Sequence, residues 1–137
     1  MAARKITVES KVDAPVETAW RAYTSPGDIT QWNAASDDWH CPAATVDLRE
    51  GGAFTSRMEA RDGSMGFDFA GTYTKIRTNE LIEYTFGDRS GRVEFLPDGA
   101  ATRLRVTFDA ETESTIEEQR EGWQSILDSF RRHVEAK

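Results

Sequence analysis

Apolar and polar residues alternate along most of this chain, which is the pattern of β-strands that bury one face. The first strand is predicted over residues 5–12, where Ile6 and Val8 alternate with charged or polar neighbours. Alternation returns in several runs over residues 46–109, and turn signals such as Asp62-Gly63 separate these runs. The sequence therefore predicts one N-terminal strand and about six further strands, joined mainly by tight turns.

Helical spacing of apolar residues occurs in two parts of the chain. After the first strand, Pro15 suits the first position of a short helix, and Ile29 and Trp32 indicate a second one. Residues 33–44 are polar and irregular, so we expect a loop there. Near the C-terminus, one long amphipathic helix is predicted over residues 113–135.

Gly122 lies in the middle of this long helix, directly before Trp123. A glycine in a helix interior costs about 1 kcal/mol relative to alanine, so something should compensate for it. On a helical wheel, Gly122 falls on a small or polar flank beside the bulky apolar stripe. Two explanations are open: the glycine lets the helix pack closely against a strand, or it leaves space for a ligand.

The order of the elements defines the fold class. Tight turns join antiparallel neighbours, and an antiparallel sheet with its helices on one face is an α+β domain. We predict a curved antiparallel sheet of about six or seven strands that wraps around the long C-terminal helix, with two short helices after the first strand. Ile76 breaks the alternation of its run, which indicates a bulge or a change of register. Residues 1–137 are expected to form a single domain.

The formal net charge of −7 narrows the range of partners. Nucleic acid and anionic membrane surfaces both attract concentrated positive charge, so neither is an expected partner. The N-terminus carries no apolar signal region, which favours a cytoplasmic protein, and we expect a monomer. Cys41 is the single cysteine, so an intramolecular disulfide is excluded.

Two polar motifs look like functional sites, but a structural role explains each of them better. Arg49-Glu50-Gly51-Gly52 lacks the lysine and hydroxyl of a phosphate-binding loop, so we predict a tight turn with a positive φ. The segment 37–41 gathers two carboxylates, an imidazole and a thiol, but adjacent loop residues rarely converge on one metal ion or form a nucleophile pair. We therefore expect no metal there, but a polar loop at the mouth of a cavity with Trp39 as a lid.

Four ionisable residues within the predicted strands are candidates for chemistry. Asp68 and Glu83 would be plausible general acids if they were buried, because burial raises the pKa of a carboxyl group. Arg57 and Arg105 could anchor a ligand carboxylate if they faced inward. Alternation with apolar neighbours sends all four to the outer face of the sheet, and we expect them there.

Short motifs occur in a fixed order over nearly the whole chain: Ala14-Pro15-Val16, Ala19-Trp20, Thr24-Ser25-Pro26, Gln31-Trp32, residues 47–54, Gly71-Thr72-Tyr73, residues 80–84, Thr102-Arg103-Leu104 and Gly122-Trp123. In this order they resemble the START-like (SRPBCC) helix-grip superfamily, which includes START domains, the birch-pollen-allergen fold and polyketide cyclases. The branch most similar to the chain comprises bacterial single-domain proteins related to the C-terminal domain of the activator of the heat-shock protein 90 ATPase. The resemblance implies the helix-grip fold and no cofactor.

Functional expectations follow from the resemblance and from the aromatic content. Aromatic side chains with methionines beside them are typical of apolar ligand sites, so we expect a small apolar or amphipathic molecule between the sheet and the long helix. The residues expected to contact it are Trp32, Trp39, Phe54, Met58, Phe67, Phe69, Tyr84, Trp123 and Phe130. Leu127 is expected to be pure core.

Two other functions stay open because this superfold hosts carriers, enzymes and chaperone partners. One is a co-chaperone of the heat-shock protein 90 type, for which an acidic outer sheet face would be the working surface. The other is a cyclase or hydrolase that uses the cavity. It needs at least one inward-facing ionisable group, and the sequence offers no complete set of nucleophile, base and orienting residue.

Overall fold

A computed structural model describes residues 4–136 of the chain. The elements in this range are β1 (Lys5–Val12), α1 (Val16–Thr24), α2 (Pro26–Trp32), β2 (Trp39–Val46), β3 (Ala53–Ala60), β4 (Gly66–Arg77), β5 (Leu81–Phe86), β6 (Arg89–Asp98), β7 (Ala101–Asp109) and α3 (Ile116–Glu135). The strands form one antiparallel sheet in the order β1-β7-β6-β5-β4-β3-β2, which curls into a half-barrel against α3. The predicted α+β helix-grip architecture is confirmed, including the two short helices after the first strand.

Alternation along the strands decides which side chains fill the core. In β1, Ile6 and Val12 are fully buried, while the residues between the buried positions are exposed. On β6 and β7, Phe95, Leu104 and Phe108 continue the same concave face and are also almost completely buried. Because each buried side chain of this size contributes roughly 1.5–3 kcal/mol, this continuous apolar face is a main source of the fold's stability.

The loop predicted over residues 33–44 is wrong from Trp39 onward, because β2 begins there. The strand lacks clean alternation, since its pairing with β3 shifts register between His40 and Ala43, and Pro42 lies inside the shift. An irregular edge strand of this kind carries no period-two signal in its sequence.

The long helix begins at Ile116, so its predicted start at residue 113 is three residues too early. A capping box fixes the start: the Glu118 backbone N–H donates to Thr115 Oγ1 at 3.1 Å, and the Thr115 N–H donates to Glu118 Oε1 at 3.2 Å. These two bonds satisfy backbone donors that have no partner within the first helical turn.

The Gly51-Gly52 turn is attached to an irregularity in β4. The Gly51 N–H donates to the Tyr73 carbonyl oxygen at 2.8 Å, and the Tyr73 N–H donates to the Gly52 carbonyl at 2.9 Å. The pairing of β4 with β5 shifts register between Tyr73 and Lys75, which confirms the irregularity predicted from Ile76. Gly51 has a φ of 85°, so the predicted tight turn with positive φ is confirmed.

The close-packing explanation of Gly122 is wrong. A Cβ atom added to Gly122 would meet no atom within 4 Å outside its immediate neighbours and the helix's own backbone. No strand therefore approaches the helix closely at this position.

None of the helices within residues 4–136 has the length and apolar character needed to cross a bilayer.

Candidate functional site

A pocket of about 320 Å³ lies between the concave face of the sheet and the helices. Trp123, Ile126 and Leu127 of α3 form part of its wall. The remaining walls come from Tyr23, Ile29, Trp32, Asn33, Thr45, Val46, Phe54, Ser56, Met58, Phe67, Phe69, Tyr73, Ile82, Tyr84, Arg89 and Val106. Its volume is at the lower end of the range of small-molecule sites, which is about 300–1,000 Å³.

Phe54 is the centre of the aromatic wall on the sheet side. Its ring centroid lies 5.0 Å from that of Tyr73 and 5.4 Å from that of Tyr84, with Phe69 at 5.9 Å. The ring also covers Gly71, where an added Cβ would stand 2.8 Å from Phe54 Cζ. Gly71 therefore lets Phe54 lie flat across the neighbouring strand, and the flat ring leaves space above it.

Trp123 connects α3 to the sheet at the other side of the pocket. It stacks on Phe108 with a centroid separation of 4.0 Å and an interplanar angle of 17°. Its ring also meets Phe69 edge-on at 6.0 Å. Since Trp123 follows Gly122 directly, the helix contacts the sheet through the bulky residue and not through the glycine.

Three tyrosines bring hydroxyl groups to the pocket. Burial raises the pKa of Tyr73 to about 12 and raises the pKa values of Tyr23 and Tyr84 further. All three are therefore neutral phenols at physiological pH and can donate a hydrogen bond. None of the three hydroxyls has a hydrogen-bond partner within residues 4–136. No fully buried side-chain polar atom in this range lacks a partner, so each hydroxyl oxygen keeps some accessible surface. Each hydroxyl can therefore donate to a molecule that reaches it.

Seven of the nine predicted contact residues line the pocket: Trp32, Phe54, Met58, Phe67, Phe69, Tyr84 and Trp123. Trp39 and Phe130 do not. Trp39 lies one layer farther out and meets the ring of Phe67 at 5.9 Å. Phe130 is fully buried behind the wall, with its ring 5.0 Å from Trp32 and 5.3 Å from Tyr23. That these residues bind a ligand stays a prediction.

The structure also adds residues that the sequence reasoning missed. Leu127, expected to be pure core, lines the pocket because it lies one turn after Trp123 on the same helix face. Tyr73 follows the alternation of β4 and could have been found from it. Arg89 follows the Gly87-Asp88 turn and stands opposite Phe86, so counting across that two-residue turn would have placed it on the inner face.

The comparisons with known proteins place the chain in a family. The family described as Activator of Hsp90 ATPase homolog 1-like protein matches residues 13–135. The chain belongs to this family. Its solved relatives include the AHSA1-like protein from Aeromonas hydrophila, which is 43% identical, with 97% of this chain and 93% of that one covered and a TM-score of 0.91. A comparison with functionally curated proteins gives no match.

Two further solved structures extend this result. A protein from Cytophaga hutchinsonii is 47% identical over 96% of this chain and 92% of that one, with a TM-score of 0.83. A protein from Chromobacterium violaceum is 24% identical over 96% and 98%, with a TM-score of 0.86, and shows the shared fold alone. The resemblance to the START-like helix-grip superfamily is confirmed, and the AHSA1-like branch is the one to which the chain belongs.

In the segment 37–41, the structure places His40 and Cys41 in separate surroundings. No cluster of potential metal ligands occurs among the described residues. Cys41 is buried, burial raises the pKa of its thiol, and its Sγ donates to the Ala43 carbonyl at 3.4 Å. A protonated, enclosed thiol is a poor nucleophile. His40 instead lies 3.9 Å from Glu59 Oε1, on the neighbouring strand.

The four ionisable strand residues face outward, as predicted. Arg57 contacts Asp68 at 3.4 Å, Arg92 contacts Glu83 at 3.3 Å, and Arg105 contacts Glu9 at 3.1 Å. On the outer face, opposite charges are thus paired across neighbouring strands. The expectation of an acidic outer face is wrong, because arginines alternate there with the carboxylates.

The enzyme alternative gains little from the pocket. Among the described residues that line it, none carries a carboxylate, an imidazole or a thiol. The ionisable groups there are the three tyrosines and Arg89, and none of these is a base at neutral pH. The lining therefore presents hydrogen-bond donors and apolar walls.

Proposed function

We propose that this AHSA1-like protein binds a small apolar or amphipathic molecule in the pocket beneath α3. The observation that carries this proposal is the combination of about 320 Å³ of open space with aromatic walls. Well-packed interiors keep few voids larger than a water molecule, so a space of this size needs a reason. The unpartnered hydroxyls of Tyr73 and Tyr84 add polar groups that would orient a bound molecule.

The size of the pocket limits the ligand and its affinity. A molecule with two or three fused or linked rings matches the lower end of the usual volume range. If each non-hydrogen atom contributes about 0.3–0.5 kcal/mol, roughly 17 atoms give about 5–8 kcal/mol of binding free energy. This range corresponds to dissociation constants from about 200 µM down to about 1 µM.

Fluorescence titration with the neutral probe N-phenyl-1-naphthylamine tests the proposal. We expect saturable binding to the native protein with a micromolar dissociation constant. Ser56→Leu fills space inside the pocket, because Ser56 lines it, and should weaken binding at least about tenfold. Thr55→Leu makes the same kind of change at the adjacent residue, which points to the opposite face of β3, and should leave binding unchanged.

The result that contradicts the proposal is equally specific. If the wild-type protein shows no saturable binding, or if Thr55→Leu weakens binding as much as Ser56→Leu, the pocket is not the binding site. Circular dichroism spectra of both variants establish that each is folded before the comparison is made.

The family name supports a second candidate function, which is partnership with a chaperone of the heat-shock protein 90 type. In that case the paired charges of the outer sheet face would be a contact surface that recognises its partner by charge pattern. Addition of the protein should then change the ATP hydrolysis rate of the bacterial chaperone. Arg92→Glu reverses one charge between Glu83 and Glu94 and should reduce the effect. No change of rate with the wild-type protein would refute this function.

A further inference from the structure

Arg89 is the one charged side chain among the described residues that line the pocket. Its position follows from the β5–β6 hairpin, in which Gly87 and Asp88 form a two-residue turn. The register pairs Arg89 with Phe86, and cross-strand partners have their side chains on the same face of a sheet. Phe86 faces the concave side, so Arg89 does too, whereas Arg92 three residues later faces the opposite side.

The surroundings of Arg89 leave most of its hydrogen-bonding capacity unused. The guanidinium Cζ lies 4.5 Å from the centroid of the Phe86 ring, a cation–π arrangement. One nitrogen, Nη1, donates to the backbone carbonyl of Asp109 at 3.2 Å. No carboxylate of residues 4–136 forms an ion pair with it within 4 Å. A guanidinium has five N–H donors, so several stay free for another acceptor.

The outer face of the sheet provides the contrast. Arg57, Arg92, Arg103 and Arg105 each pair with at least one carboxylate on a neighbouring strand or residue. These four arginines of the outer strand face are thus all paired. Arg89 lies beside an apolar cavity, where a charge is less well solvated, and forms no ion pair within 4 Å with a described residue. Glu111 is near enough for the charge of Arg89 to help lower the pKa of its carboxyl group, but it does not reach the guanidinium.

Tyr84 brings a second donor to the same end of the pocket. Its ring lies over Gly91 of β6. A Cβ atom added to Gly91 would lie 2.5 Å from the Tyr84 hydroxyl oxygen. Gly91 is two residues after Arg89 on the same face of the same strand. Tyr84 is 6% exposed and its hydroxyl has no hydrogen-bond partner within the described residues. The charge of Arg89 opposes the rise that burial causes in the pKa of Tyr84, so the two groups interact.

We infer that the pocket recognises an organic anion: an apolar body lies against the aromatic wall, and its carboxylate or sulfonate accepts hydrogen bonds from the Arg89 guanidinium and the Tyr84 hydroxyl. A planar guanidinium can bind such a group through two parallel N–H donors. Gly91 lacks a side chain and so leaves room for the Tyr84 ring to reach this position. This inference rests on the proposed ligand-binding function and specifies the class of ligand.

Two fluorescent probes with the same ring skeleton separate the inference from the proposed function. N-phenyl-1-naphthylamine is neutral, and 1-anilinonaphthalene-8-sulfonate carries one sulfonate. The wild-type protein should bind the sulfonate probe at least about tenfold more tightly than the neutral probe, since hydrogen bonds to charged groups contribute that much. Arg89→Met should abolish this ratio, Arg89→Lys should restore part of it, and Arg92→Met on the opposite face should leave it unchanged.

The possible results distinguish failure of the inference from failure of the proposed function. Equal binding of both probes by the wild-type protein, or an unchanged ratio in Arg89→Met, overturns the inference while the ligand-binding function stands. Failure of both probes to bind overturns the proposed function and the inference with it. A purely structural role of Arg89 would lower the free energy of unfolding of Arg89→Met without changing the ratio of affinities, which is why the ratio is the deciding readout.

Discussion

The substitution Gly122→Ala should stabilise this protein, although Gly122 lies in its longest helix next to the pocket. Glycine in a helix interior is about 0.8–1.0 kcal/mol less favourable than alanine. A Cβ at Gly122 would meet nothing within 4 Å, so no steric cost is subtracted from this gain. Gly122 is also absent from the residues that line the pocket. We expect the free energy of unfolding to rise by about 1 kcal/mol and ligand binding to stay unchanged.

Gly52→Ala is the matched control, because the same substitution should have the opposite sign there. An added Cβ at Gly52 would lie 2.1 Å from the Asp47 carbonyl oxygen, which is backbone and cannot rotate away. The turn between β2 and β3 must then shift, and we expect a loss of about 1–3 kcal/mol. Urea denaturation followed by circular dichroism gives both values, provided that the slope of free energy against urea is unchanged.

One result would refute the reasoning about Gly122. If Gly122→Ala destabilises the protein, or weakens binding of N-phenyl-1-naphthylamine, then the open space beside the helix has a function that a methyl group disturbs. In that case the glycine would serve the pocket directly, which is the second of the two explanations that the sequence leaves open.

Two further predictions concern the packing of the aromatic residues and the ion pair of Asp109. Phe130→Ala should lower the free energy of unfolding, measured by urea denaturation, by about 3–5 kcal/mol, because the ring is fully buried. Phe67→Ala is the control and should cost much less, because this side chain is 50% exposed. Equal losses of stability in the two variants would contradict the assigned core. Lys5 holds the pKa of Asp109 below its usual value, so the stability that Asp109 contributes is complete above about pH 4 and is lost as the pH falls through the lowered pKa. Asp109→Asn should therefore lower the free energy of unfolding at pH 7, and this difference from wild type should shrink as the pH falls below about 4. A difference that does not change with pH would refute this origin.

The sequence predicts most of this fold because the local patterns agree with the tertiary structure. Alternation in β1 and β7 is clean, since each of these strands has one buried face. The capping residues Thr115 and Glu118 also stand in the sequence, and they mark the start of α3 more closely than its apolar periodicity does. The order of short motifs then identifies the architecture, which family membership and the sheet topology confirm.

The parts that the sequence did not predict depend on long-range geometry. β2 is held by pairing with β3 across a register shift, and no local period marks such a strand. Which aromatic residues border space and which fill the core depends on the curl of the sheet. Phe130 and Leu127 show this, because they lie three residues apart on α3 and yet only Leu127 reaches the pocket. Arg89 is inward because of a turn of two residues, so one residue more or less would have sent it outward.

The most direct test of ligand binding uses the four tryptophans as reporters. In protein labelled with 5-fluorotryptophan, ¹⁹F NMR during titration with N-phenyl-1-naphthylamine should show saturable shifts of the Trp32 and Trp123 resonances, since both residues line the pocket. Trp20, which packs on Phe95 away from it, should stay unchanged. Resonances of Trp32 and Trp123 that do not move at saturating probe, or a shift confined to Trp20, would contradict the account.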